Sequence, residues 1–306
     1  MSGWTHQASR RSVRAARCRS ATLTAEATLP SNLGTDSALR SQGVTSLTRS
    51  PRRRTLATMV ASVSSQARPR LPSGSPPGKE RFAGFPDEAI QFFLELQAEQ
   101  SRTWFKAHQD EFSNYCRKPL ELLVYDLQGR LKDVYPHIAD VEPHFFRIQR
   151  DTRFAKDKAP YKTNVAADMP IRARRDGEDQ HTTPGMYFSF GLDGEFVAIG
   201  AWHMGPEVLT QYRQRVAEPR LGKQLKTAVD KLVRAGWQIA SMETLKRVPA
   251  PYPQDHPCAD LLKHKGLALS AQPSEGVSAT PAFADWAEAK PRDAAPVVNW
   301  LDRNLQ

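Results

Sequence analysis

Apolar side chains recur every three or four residues from Pro86 to Pro136. From His144 to Met204 they come instead in short aromatic and β-branched runs broken by turn formers, and after Pro206 the helical spacing returns. A strand period laid on a helix, or the reverse, turns apolar groups to solvent, so the two patterns are not interchangeable. Helices, then a run of strands, then helices again specify an α+β fold rather than an alternating α/β one.

Pro86 followed by Asp87 and Glu88 marks a helix start, because proline suits the first turn and acids suit the positive end of the helix dipole. Ile90, Phe93, Leu94 and Gln97 then share helical spacing. A second helix is expected from about Ser101, with Trp104, Phe105, His108 and Phe112 mostly on one side. A third carries Leu120, Leu123, Leu127 and Leu131 on one face and stops at Pro136. "HFFRIQRD" (144–151), "TNVAADMPIRA", "GMYFSFGL" and "EFVAIGAWHM" read as strands, and Asp193-Gly194 between the last two is a hairpin signal. Short connections predict antiparallel neighbours. "PEVLTQYRQRVAEP" and "RLGKQLKTAVDKLVRAGW" return to helix, the second ending near Gly236. A short helix at "CADLLKHKG", a strand at "GLALSA" and two closing helices around Trp286 and Trp300 follow. The expected architecture is an antiparallel sheet of about four to five strands covered by N-terminal and C-terminal helices.

Charge separates the chain into two parts. The pI is near 9.6, yet residues 1–80 hold 13 Lys/Arg against Glu26, Asp36 and Glu80. The remaining 226 residues hold 30 basic and 30 acidic side chains. The basicity belongs to the leader, and overall charge is no argument that the body binds nucleic acid. Residues 1–80, rich in Ser, Ala, Thr, Pro and Arg, are expected to be a disordered basic leader, and 81–306 a single α+β domain. An Arg-rich, acid-poor start matches a transit peptide, which would send the chain to mitochondria. The alternative is a gene-model extension with translation from Met59 and a cytoplasmic protein, and this is the preferred reading. No apolar run reaches 18 residues, so no membrane span or membrane partner is expected.

Cys18, Cys116 and Cys258 are widely spaced and form no C-x-x-C pair, which argues against a disulfide framework. His256, Cys258 and His264 match no zinc spacing. Capping and packing is the expected role there, with Asp255 and Pro257 at a helix start, and no metal is assigned. Trp202, His203 and Met204 read as core edge or pocket wall. Nucleotide-loop, nucleophile-elbow, zincin and dinucleotide fingerprints are all absent from the sequence, and no cofactor is legible.

"RIQRDTRFAKDKAPYKT" (147–163) concentrates six basic residues and two acids. As a strand, 144–151 would put Phe145, Arg147, Gln149 and Asp151 on one face and Phe146, Ile148 and Arg150 on the other. Pro160 cannot join a central ladder, so Arg153, Lys156, Lys158, Tyr161 and Lys162 are placed on a connecting loop. Two local acids cannot answer six cations. Glu142, Glu195 or Glu207 could supply partners from elsewhere in a purely structural salt-bridge motif.

The spacing of Arg147, Arg150, Asp151, Arg153, Phe154, Lys158 and Tyr161 resembles the signature of a bacterial and fungal family, domain of unknown function 2461. The resemblance runs from about Phe85 to the end of the chain. It takes in Trp104-Phe105, the aromatic hairpin leading to "GAWHM", and the late "LKR…DHP…LLKHK" run. The chain departs from the family in having "EQSRTWF" where members often carry an Asn-rich turn. The resemblance implies fold and site position, and no activity.

Two functional readings stay open beside the structural one. In the first, an enzyme acts on a phosphate- or carboxylate-bearing small molecule. Arg147, Arg150, Arg153 and Lys162 bind the anion, Lys158 stabilises developing charge, and Asp151 or Tyr161 serves as acid–base group. In the second, a non-catalytic module grips nucleic acid or an acidic partner. The negative charge of Asp151 opposes a phosphate backbone and favours the small molecule.

Overall fold

The computed structural model describes residues 80–153, 156–176, 178, 182–241 and 243–305. Residues 1–79 of the expected 1–80 leader lie outside the described residues.

Helix α1 (Asp87–Ala98) begins at Pro86 with Asp87 and Glu88 in its first turn and buries Ala89, Phe92, Phe93 and Leu96. That face is rotated from the one expected, and Leu94 is 47% exposed. Helix α2 (Arg102–Ala107) is capped by the Ser101 hydroxyl, which accepts from the Trp104 N–H at 3.0 Å. The helix does not run on: it breaks at His108, makes one turn (Gln109–Glu111) and continues as a π-helical segment (Phe112–Arg117) into α3 (Lys118–Arg130). The aromatic side survives the break, because the Phe92 ring meets Trp104, Phe105 and Phe112 at 5.5, 6.5 and 5.7 Å. Leu120, Leu123, Leu127 and Leu131 are all buried.

The sheet has six strands, all paired antiparallel: β1 (His144–Phe145), β2 (Asn164–Pro170), β3 (Gly185–Gly191), β4 (Phe196–Ala201), β5 (Gln238–Ile239) and β6 (Leu267–Ala271), in the order β1-β2-β3-β4-β6-β5. The strand beyond the expected set is β5, an exposed two-residue edge. Helices α4 (Pro206–Ala217) and α5 (Pro219–Arg234) follow the hairpin. At the end of α5 the Trp237 N–H reaches the Leu232 carbonyl and the Gly236 N–H that of Val233; Gly236 has φ +91°, a conformation glycine adopts without strain. Helix α6 (Ala259–Leu262) is one turn.

A single helix, α7 (Ala282–Asn304), replaces the two expected around Trp286 and Trp300, and it passes through Pro291 and Pro296. Two missing N–H groups normally end a helix. Here tertiary burial outweighs that loss: Phe283, Ala284, Ala287, Ala294, Val297, Val298, Trp300 and Leu301 are all inside. The Tyr135 hydroxyl also donates to the Pro291 carbonyl at 2.7 Å, and the Trp300 indole N–H to the Leu221 carbonyl at 3.1 Å.

Strand alternation gives the sheet two unlike faces. Val165, Ala167, Met169, Phe188, Ile199 and Leu269 turn toward the helices and share one core with α1, α3, α5 and α7. Ala166, Tyr187, Phe196, Ala198, Trp202, Ala240 and Ala268 form a second cluster on the other face, to which no described helix contributes a residue. Among the described residues no helix is long and apolar enough to cross a membrane.

Candidate functional site

The basic segment is a hairpin, and its return arm is paired rather than looped. His144 and Phe145 pair with Asp168 and Ala167, and the Phe146 N–H donates to the Ala166 carbonyl. Farther out, the Lys162 N–H donates to the Ile148 carbonyl and the Arg150 N–H to the Pro160 carbonyl, with Gln149 opposite Tyr161. Pro160 takes part through its carbonyl, which needs no N–H. From Phe146 to Ile148 the outgoing arm advances two residues while the return arm covers four, Ala166 to Lys162. Such a bulge swivels the chain. The expected strand 144–151 therefore stops at Phe145, and its predicted faces do not hold: Phe145 and Ile148 both pack with the main core, whereas Phe146 packs with the second cluster.

Two contacts fix the arms. The Tyr161 ring is buried and stacked on Phe105 with centroids 4.6 Å apart, and its N–H donates to Gln100 Oε1 at 3.0 Å. At the tip, Asp151 receives Arg153 Nη2 at 2.8 Å, Arg153 Nε at 3.1 Å and the Arg153 N–H at 3.2 Å. The Arg153 guanidinium, ahead of the positive charge of Arg147, holds the Asp151 carboxyl down at about 2. Arg150 Nη1 meets Asp157 Oδ2 at 2.6 Å, Asp157 Oδ1 accepts the Ala159 N–H at 3.0 Å, and Lys158 Nζ donates to the Thr152 carbonyl at 2.9 Å. Phe154 lies outside the described residues.

Two cations of the predicted set stand differently. Arg147 is exposed, and neither it nor Lys162 makes a side-chain ion pair or hydrogen bond to any described residue. Lys162 is half-buried, with Nζ 5.4 Å from the centre of the Phe146 ring. Burial, and then the like charges of Arg147 and Arg150, push its ammonium below the ordinary lysine range. The acids considered as distant partners do not reach it. Glu142 accepts from the Tyr125 hydroxyl, and neither Glu195 nor Glu207 pairs with a hairpin cation among the described residues. The seven predicted residues thus divide. Arg147 and Arg150 lie within electrostatic reach of Lys162; Asp151, Arg153 and Lys158 are knit into the tip; the Tyr161 ring faces the core.

Two other groups of arginines are matched, whereas Arg213 donates Nε to the Leu262 carbonyl and makes no ion pair with a described residue. Arg172 binds Glu178 at 2.8 Å and Asp302 at 2.6 Å, both its own side chain and that of Glu178 being 11% exposed, and Arg175 joins Asp302 at 3.1 Å. Arg130 and Arg292 share Glu288 and bind Asp285 and Asp133 respectively, tying α3 to α7.

The sequence did not single out the polar row across the helix-free face. His144, Asp168, Tyr187, Ala198, Ser270 and Gln238 are consecutive partners through all six strands. Beside the row Asn164 Nδ2 donates to Ser189 Oγ at 3.0 Å. Burial, and then the charge of Asp168, raise the Tyr187 hydroxyl above its usual range. Trp202 belongs to this cluster, 5.9 Å from Tyr187, whereas Met204 is in the main core and the His203 carbonyl accepts from Thr182 Oγ1 at 3.3 Å. His256 Nδ1 accepts the Cys258 N–H at 3.0 Å, and His264 Nδ1 is 3.0 Å from the Thr244 hydroxyl. Cys116 and Cys258 are free and buried. Among the described residues no three His, Cys, Asp or Glu side chains cluster as metal ligands.

No curated protein and no solved structure matches the chain. The model of a family described as a conserved hypothetical protein (DUF2461) matches residues 88–300, a span that holds the whole sheet and the basic hairpin, and the chain belongs to that family.

Proposed function

We propose that this protein binds a phosphate- or carboxylate-bearing small molecule through Arg147, Arg150 and Lys162. One observation carries the reading: Lys162 is half-buried beside two arginines and no described acid answers it, while Arg147 has only the charge of Asp151, whose hydrogen bonds go to Arg153. A desolvated cation among like charges costs stability unless an anion completes the group. A hairpin stapled by Tyr161 and Gln100 holds these donors in place before the ligand arrives, which lowers the ordering cost of binding. In this reading Asp151, Arg153 and Lys158 brace the tip and Tyr161 anchors the return arm.

The test is thermal unfolding of the full chain with inorganic phosphate, pyrophosphate and citrate, wild type beside Arg147→Ala and Lys162→Met. An anion at a hundred times its dissociation constant adds about 2.7 kcal/mol, which is readily seen as a rise in Tm. The rise should be present in wild type and absent in both variants. Equal shifts in all three proteins would move the anion site off this hairpin.

A further inference from the structure

We infer that the anion held by Arg147 and Lys162 carries a planar base, and that the ligand is a nucleoside phosphate whose base stacks at Phe146 with the His144 ring beside it. The inference rests on the anion-binding reading and extends it from a charge to a ligand class.

Phe146 joins the cation cluster to the helix-free face of the sheet. Lys162 Nζ lies 5.4 Å from its ring centre, and the His144 ring meets it edge-on at 4.7 Å. Both rings are half-buried and keep some surface open to solvent. Behind them the aromatic layer is buried: Phe146 packs on Tyr187 at 5.6 Å, and Tyr187 on Phe196 and Trp202 at 5.8 and 5.9 Å. The two rings are thus braced from behind; standing at 78° to each other, they let a base stack on one face and meet the other ring by its edge, with phosphate-binding cations close by.

The other cation–ring contacts of the described residues lack this opening. Arg117 lies over Phe145 at 4.5 Å but is paired with Glu121. Lys290 lies 5.6 Å from Trp237 and 5.8 Å from Trp286 but is paired with Asp293. At Lys162 and Phe146 the ring is present and the counter-charge is not, and a nucleotide supplies both a π-face and an anion. Two or three grouped cations suit a polyphosphate better than a single carboxylate.

Titration calorimetry on the full chain would compare ATP, tripolyphosphate and a short single-stranded oligonucleotide, using wild type, Phe146→Leu and His144→Ala. Phe146→Leu keeps an apolar filler and removes the π-face; His144→Ala alters a ring at the edge of the sheet and tests the same contact should the first variant fail to fold. ATP is expected to bind wild type roughly tenfold more tightly than tripolyphosphate, the scale of one stacked base. That gap should close in the variants while tripolyphosphate affinity holds. Equal affinity for ATP and tripolyphosphate in wild type overturns the base site and leaves the anion reading standing. Binding of neither removes both. An oligonucleotide that outbinds ATP overturns the mononucleotide in favour of a nucleic-acid strand.

Discussion

Tyr161 stacks on Phe105, their ring planes 22° apart, and this one contact fastens the basic hairpin to α2. Tyr161→Ala should cost about 3–5 kcal/mol, the usual scale for an aromatic truncated in a core. Tyr161→Phe keeps the stack and should stay within about 1 kcal/mol of wild type by chemical denaturation, with phosphate affinity unchanged. Lost affinity in Tyr161→Phe would instead give the hydroxyl a working role in the site.

Lys162→Met should separate stability from binding. Methionine fills the space beside Phe146 and brings no charge to repel Arg147 and Arg150. We expect the free protein to gain about 0.5–2 kcal/mol, while every anion-induced rise in Tm disappears. A variant less stable than wild type would mean that the ammonium already has a favourable setting in the empty protein.

Arg172, Glu178 and Asp302 make a matched network, and its partners lie 130 residues apart. Asp302→Ala leaves Arg172 with Glu178 alone and deprives Arg175 of its carboxylate. The cost should be roughly 1–3 kcal/mol, the scale of lost charge-assisted hydrogen bonds where a second partner remains. Calorimetry well below the melting temperature should find anion affinity untouched, because this network anchors the β2–β3 connection to α7 and lies outside the basic hairpin.

His264 carries a pH dependence. Burial first, and then the charge of Lys263, hold its imidazole below the ordinary value of 6.5, with Asp260 opposing. A group whose folded pKa is depressed contributes fully above its unfolded value and loses that contribution as pH falls through the folded one. Tm should therefore hold above about pH 6.5 and decline below it. In His264→Asn, which can still meet the Thr244 hydroxyl, the decline over that window should be shallower. Parallel profiles for the two proteins would show that other groups set the acid limb.

What the sequence made legible follows from local rules. The Pro86-Asp87-Glu88 start, the Asp193-Gly194 turn and the antiparallel order each depend on neighbours in the chain, and each is found. Four features depended on distant partners. Alternation predicted the faces of 144–151, but a bulge between Phe146 and Ile148 resets them. Pro291 and Pro296 argued for a helix break, yet burial along α7 prevailed. Within the basic stretch, composition could count six cations but could not tell Arg150, answered by Asp157, from Lys162, which no described acid answers. The row through His144, Asp168 and Tyr187 exists only once the strand register is known.

The two-residue offset between Phe146 and Ile148 isolates the tip of the hairpin from the sheet. It lets the outer pairing, Ile148 to Lys162, keep its own register independently of β1 and β2. Lengthening or shortening the tip between Asp151 and Ala159 would then leave the sheet's alignment unchanged. A grafted tip should therefore leave the fold intact.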